Sequence, residues 1–270
     1  MTVSDSSRGP LKFILGVVFL ILLVGLTIFF VSKDSQVEPE KNLYEVVQED
    51  PIFATSYISA AKVVESFTQA TDPKERLQWC RNQEKTAQML ASFPEQALSE
   101  VPTELKSLGN AVVDTGLFLH RYMANFANGD RRLLVLVETE EGPRVDWECY
   151  ARHSSAEWSS ILQGAEKEAL VRVFIDPATY YNYRFRDERK WLSFTLTSPD
   201  IDKSIAAYCA RRSEVAELLK RLKRGQRVTL KLKLDESMPN TRQCEISEVI
   251  AIGWSVADEK PSYNPSRFIK

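Results

Sequence analysis

Phe13 to Val31 reads FILGVVFLILLVGLTIFFV, an uncharged run in which Thr27 is the one polar residue. At 1.5 Å of rise per residue, about 20 apolar residues span the bilayer core, so this length suffices. A secretory signal carries a shorter apolar region, roughly 7–15 residues, ahead of a small-x-small cleavage site. This run ends in Phe-Phe-Val-Ser-Lys instead. A core helix would be amphipathic, and this one has no polar face. The pattern predicts a tail over 1–12, an uncleaved transmembrane helix over 13–31, and a polar, proline-containing tether over 32–51.

Hydrophobic spacing changes after the tether. Tyr57, Ala60, Ala61, Val64 and Phe67 recur at helical intervals. Asp72-Pro73 pairs a cap residue with a helix-starting proline. A third helix is expected from about Gln83, carrying Met89, Leu90 and Phe93 and stopping before Pro94. The period then shifts to two. Residues 104–114, 117–127 (LFLHRYMANFA), 131–139 (RRLLVLVET) and 144–151 read as strands. Asn128-Gly129-Asp130 is a hairpin signal, and Glu141-Gly142-Pro143 turns the chain again. Helices followed by an antiparallel meander give a first α+β domain over 52–152.

A helical connector is expected over 155–168. Beyond it, 171–175 (VRVFI), 180–185 (YYNYRF) and 191–197 (WLSFTLT) read as strands, while 204–210 fits either state. Residues 213–225 (SEVAELLKRLKRG) read as a helix: Ser213 caps it, Glu214 and Glu217 suit its first turn, and basic residues and Gly225 close it. Strands over 227–234 and 244–254 follow. This second domain spans 165–257 and is barrel-like with one helix; the polar tail 258–270 is loose.

The formal net charge of −2 divides unevenly. Residues 33–164 carry 13 Lys+Arg against 21 Asp+Glu, whereas 165–257 carry 17 against 13. The change of sign at mid-chain agrees with two units of different surface. Cys80, Cys149, Cys209 and Cys244 are too far apart for a CxxC pair, and His120 and His153 are the two histidines, so no metal site is expected. Each cysteine reads as a small buried hydrophobe. No P-loop, GxGxxG, HExxH or GxSxG motif occurs, so neither a cofactor nor an enzymatic signature is expected.

Candidate chemistry gathers near EEGPRVDWECYARHSSAEW. If 144–151 is a strand, Val145, Trp147 and Cys149 share the core face and Asp146 and Glu148 the solvated one. The alternative, if the sheet curls, is that Asp146 and Glu148 face a cavity in acid/base roles. His120 shares a strand face with Phe118 and Tyr122 and reads as a buried, hydrogen-bonded histidine. His153, beside Ser154 and Ser155, reads as part of an exposed connection or of the N-terminus of the next helix.

The helices, the meander and the Val-Asp-Trp-Glu strand resemble the nuclear-transport-factor-like cone fold, a cystatin-like α+β group. GPRVDWE is similar to a segment of membrane-anchored bacterial proteins of uncharacterised function. The cone resemblance implies a curved antiparallel sheet and either non-catalytic binding or small-molecule chemistry of the isomerase or dehydratase kind, in a concave pocket that Asp114, His120, Asp146 and Glu148 would line. AELLKRLKRGQRVTLKLKL with CEISEVIAI resembles the oligonucleotide/oligosaccharide-binding barrel. That resemblance implies a possible nucleic-acid groove, with Tyr181, Tyr183 and Phe185 alternating with Asn182, Arg184 and Arg186. As a strand, however, this segment would bury its aromatics and solvate its basic residues, and the modest positive balance argues against nucleic acid as partner. Arg8 and Lys12 ahead of 13–31 favour a cytoplasmic N-terminus with the domains outside the cytoplasm. The expected protein is a single-pass membrane binding or scaffold protein of the cell envelope, with a partner protein or a small ligand.

Overall fold

The computed structural model describes residues 51–92, 100–113, 117–234 and 242–257. The segment 13–31, the tails 1–12 and 258–270, the tether up to residue 50, and Asp114 lie outside the described residues. Among the described residues no helix is long and apolar enough to cross a membrane.

The fold is α+β. Helix α1 (Pro51–Gln69) buries Ala60, Val63, Val64 and Phe67, one stripe at helical spacing, and leaves Ala61 exposed. Asp72 caps α2 (Pro73–Leu77) by accepting from Lys74 N at 2.8 Å, with Pro73 at the first turn, where its missing N–H has no partner to lose. Helix α3 covers Gln83–Ser92.

Strands β1 (Glu104–Val112), β2 (Phe118–Asn125), β3 (Arg131–Thr139) and β4 (Gly142–Val145) form an antiparallel sheet in chain order. Gly129, at φ 85, supplies the left-handed residue of the β2–β3 hairpin. Period-two alternation then sends the side chains to two cores. Tyr122, Ala124, Leu134 and Leu136 meet Phe67 and Val64 of α1. Leu119, Val135 and Val137 point the other way, onto Trp254.

The strand expected over 144–151 stops at Val145, and Trp147–Tyr150 is a helical turn, α4. Asp146 causes the break: its Oδ1 accepts from Cys149 N at 3.1 Å, the geometry of a helix cap. Trp147 and Cys149 therefore do not share a face; Trp147 enters the core against α1 and Cys149 the one around Trp254. The connector helix α5 is short (Trp158–Gln163) and ends on left-handed Gly164.

Strands β5 (Glu168–Ala178), β6 (Trp191–Thr197), β7 (Ile205–Ala210), β8 (Gln226–Leu234) and β9 (Gln243–Ile252) close into a barrel in the order β5-β6-β7-β9-β8. The β7–β9 pair is parallel and the others antiparallel. Val171, Val173, Ile175, Leu196, Val228 and Leu230 fill the interior. Helix α6 (Glu214–Leu219) adds Ala216 and Leu219 to that core, and Ser213 caps it by accepting from Ala216 N at 3.1 Å. It is shorter than the 213–225 predicted. The segment 180–185 is not a strand: Tyr183–Phe185 is a 3-10 turn, Asn182 Oδ1 accepts from Tyr183 N at 2.8 Å, and Tyr183 sits at φ 48. Local asparagine-to-backbone bonding there outcompetes the extended ladder.

All the described residues belong to one compact unit. The outer face of β5 presents Arg172 and Phe174 to the first domain, while Val171 and Val173 point into the barrel. After β9 the chain turns at Gly253, and Trp254 packs on Phe174 (centroids 5.0 Å apart) while donating from Nε1 to Val173 O at 3.1 Å.

Candidate functional site

Three of the four residues expected to line one pocket, His120, Asp146 and Glu148, are among the described residues. Asp114 is outside the described residues. His120 lies on the α1-facing side of the sheet, fully buried. Its Nδ1 is 3.0 Å from Asn110 Oδ1 and its Nε2 is 3.0 Å from Glu138 Oε2. The ladder creates this cluster. Asn110 and Leu136 are the cross-strand partners of His120, and Glu138 follows Leu136 on the same face. Each ring nitrogen therefore faces an oxygen, and the two contacts together fix the orientation of the ring. A histidine oriented by a carboxylate is a proton-handling arrangement. Edge-on contact with Phe118 at 5.0 Å walls its other side.

Asp146 and Glu148 belong to a different place. The expectation that they face solvent fails because arginines engage both. Asp146, 1% exposed, accepts from Arg81 Nη2 at 2.9 Å, and the same guanidinium nitrogen donates to Val256 O at 2.7 Å. Glu148 accepts from Lys85 and, at 2.6 Å, from Arg172 Nη2. Burial opposes its ionisation, but Arg172 and Lys85 together bring its pKa down to about 2. Arg172 is itself fully buried and also donates to His153 O and Trp254 O, each at 2.9 Å. His153 is buried, contrary to the exposed position expected, because its carbonyl is held by Arg172 and its ring lies 5.8 Å from Trp147. Burial, then the neighbouring Arg172 charge, lowers its pKa to about 4, so the imidazole is neutral near pH 7.

A third knot lies alongside. Arg152, at φ 51 just after α4, is bidentate to Asp200 (2.6 Å at the closest) and reaches Asp130 at 3.3 Å. Asp130 belongs to the β2–β3 hairpin and Asp200 to the β6–β7 loop. The three arginine–carboxylate knots join the sheet domain to the barrel. They are structural in geometry: each carboxylate already holds a cationic partner.

The exposed candidate surface is on the barrel. Tyr180 and Tyr183, 52% and 57% exposed, stand on the β5–β6 loop. Arg184 lies beside them, paired to Glu245 at 2.7 Å and 4.7 Å from the Phe185 ring. Below them Phe185 stacks on Tyr208 (4.1 Å, 9°) and meets Trp191 edge-on. The Tyr208 hydroxyl is buried without a hydrogen-bond partner. The loop is an aromatic platform with two exposed tyrosines beside its buried rings. Reading 180–185 as a strand hid it; the signal was Asn182, a turn former, followed by the polar run RFRDERK. The arginine partners had a signal too: Arg172 interrupts the apolar run of β5.

Among the described residues no group of histidine, cysteine or acidic side chains is arranged to hold a metal ion. No protein-family model matches the chain, and no curated protein matches it.

Proposed function

We propose that the chain is a single-pass, membrane-anchored binding protein of the cell envelope that does no catalysis, and that it takes its ligand on the β5–β6 loop of the barrel. The observation that carries this reading is the pair of solvent-facing tyrosines, Tyr180 and Tyr183, on a buried aromatic base. The uncharged run 13–31 supports the anchor. The order β5-β6-β7-β9-β8, with a helix between the third and fourth strands, supports an oligonucleotide/oligosaccharide-binding type of barrel. In such barrels the loop after the first strand contributes to ligand binding. The sheet covered by α1 on one face supports the cone resemblance of the first domain.

Two measurements test the reading. Protease is added to cells whose outer barrier has been opened. Cleavage of the barrel places it outside the cytoplasm, and full protection overturns the envelope assignment. The purified chain is then screened against oligosaccharides, peptides and single-stranded oligonucleotides. A ligand lost in Tyr180→Ala/Tyr183→Ala supports the loop as the site. Unchanged binding in that variant removes the loop from it. Binding that is confined to oligonucleotides and falls steeply with salt overturns the non-nucleic-acid reading.

The His120–Glu138 pair favours a second reading, a small-molecule enzyme working within the cone. That reading requires turnover abolished by His120→Ala or Glu138→Gln but retained in Tyr183→Ala.

A further inference from the structure

We propose that Arg76 and Tyr150 form a buried site for one compact monovalent anion, a halide or a small carboxylate such as formate. Arg76 lies in α2 and is 3% exposed. Its Nε donates to Ala70 O at 2.6 Å and its Nη2 to Glu100 O at 3.1 Å, both neutral carbonyls. Nη1 is buried and has no hydrogen-bond partner. Tyr150, at the end of α4, is fully buried, and its hydroxyl also has no partner. The two groups border the same ring: the Arg76 guanidinium carbon is 5.5 Å from the Phe67 centroid, and the Tyr150 ring meets Phe67 edge-on at 5.1 Å.

Two orphaned donors on side chains that both pack on Phe67 call for an acceptor, either a water or an ion. Charge decides between them. The carbonyls that hold Arg76 do not neutralise it, and a buried cation without a counter-charge is costly. Among the described residues Arg76 makes no ion pair with a carboxylate. Glu100, on the exposed surface, accepts from Asn128, and Asp130 is held by Arg132 and Arg152. Burial draws the Arg76 pKa below its ordinary value and pushes that of Tyr150 above its own. An anion supplies both the missing charge and the missing acceptor. Nη1 offers two N–H bonds and the phenol one O–H. Three donors with one formal charge match a monovalent anion; a phosphate or sulfate brings more charge and more acceptors than the site can meet.

The test uses the full chain in detergent micelles, exchanged into gluconate, whose bulk excludes it. Chloride or formate replaces gluconate at constant ionic strength while the thermal unfolding midpoint is followed. The midpoint is expected to rise with the logarithm of anion concentration above saturation. Tyr150→Phe removes only the hydroxyl, and is expected to shift the concentration dependence about tenfold toward weaker binding, the loss of one hydrogen bond to a charged group. Arg76→Gln is expected to abolish the dependence; should it not fold, Tyr150→Phe still decides. Crystals grown with bromide are expected to show an anomalous peak within hydrogen-bond distance of Nη1 and the phenol oxygen. A midpoint indifferent to chloride and formate, the same dependence in Tyr150→Phe, or an ordered water in place of bromide would each overturn the proposal.

Discussion

Replacing Arg172 with alanine removes the one side chain that ties Glu148, His153 and Trp254 together. The wild-type guanidinium is fully buried, pairs with Glu148 at 2.6 Å and donates to two carbonyls at 2.9 Å. Breaking a buried ion pair by removing one partner costs about 3–5 kcal/mol. Each orphaned carbonyl adds about 1–3 kcal/mol unless water reaches it. Lys85 still serves Glu148, and water entering the vacated space rehydrates the carbonyls. The ion-pair term alone, about 3–5 kcal/mol, is therefore the expectation. Against a total of about 5–15 kcal/mol this is a large fraction. Urea unfolding of the purified chain, followed by circular dichroism and tryptophan fluorescence, measures it. The variant is also expected to broaden the transition, as the sheet domain and the barrel lose one of the three knots that join them. A loss under about 1 kcal/mol with a single unchanged transition would show that Arg172 does not join the domains.

The remaining predictions concern pH, thiols and the tyrosine platform. His153 has a pKa of about 4 in the fold against 6.5 unfolded, so the unfolded chain binds the extra proton. Stability is therefore full above pH 6.5 and falls by about 3 kcal/mol as pH drops toward 4; His153→Gln should flatten that limb in urea titrations run at stepped pH. Glu148, near 2 in the fold against 4.5 unfolded, contributes a similar loss of about 3 kcal/mol between pH 4.5 and 2, and Glu148→Gln should remove it. All four cysteines are buried and unpaired, and burial pushes each thiol up to about 12. A chromogenic disulfide reagent should find no thiol in the native chain and four in denaturant; four unreactive sulfurs in denaturant would mean that they pair. Tyr180→Ala and Tyr183→Ala should change stability by no more than about 0.5 kcal/mol, since both rings are exposed; a larger loss would make the platform a packing feature.

Period and punctuation carried most of the architecture. The Asp72-Pro73 start of α2 and the Asn128-Gly129 hairpin are local rules, and the structure obeys them; the expected stripe of α1 holds at Ala60, Val64 and Phe67 and fails at Ala61. Where two local rules competed, the reading failed. Around Asp146, alternation suggested a strand, yet an aspartate with a glutamate two residues on, in the first turn, is also a cap, and the cap wins once Val145 ends the ladder. At 180–185 aromatic alternation hid a turn at Asn182. The fate of the acids was illegible for another reason. Arg81, Arg152 and Arg172 lie 65, 22 and 24 residues from their partners Asp146, Asp130 and Glu148. Nothing in a linear pattern says which arginine reaches which acid. The His120–Glu138 pair was closer to hand, since the hairpin register puts both on one face.

Trp254 sets an order in time. The outward-facing sheet residues Leu119, Val135 and Val137 have Trp254 and Phe174 as covering partners, and Trp254 is among the last described residues to be synthesised. A nascent chain that has already paired β1 to β4 carries a wet apolar face until some hundred further residues have emerged. Domains generally fold N-terminal first during synthesis. Here the first domain cannot finish early, and a chain ending before Gly253 should be a target for holdases and proteases even though its sheet is complete.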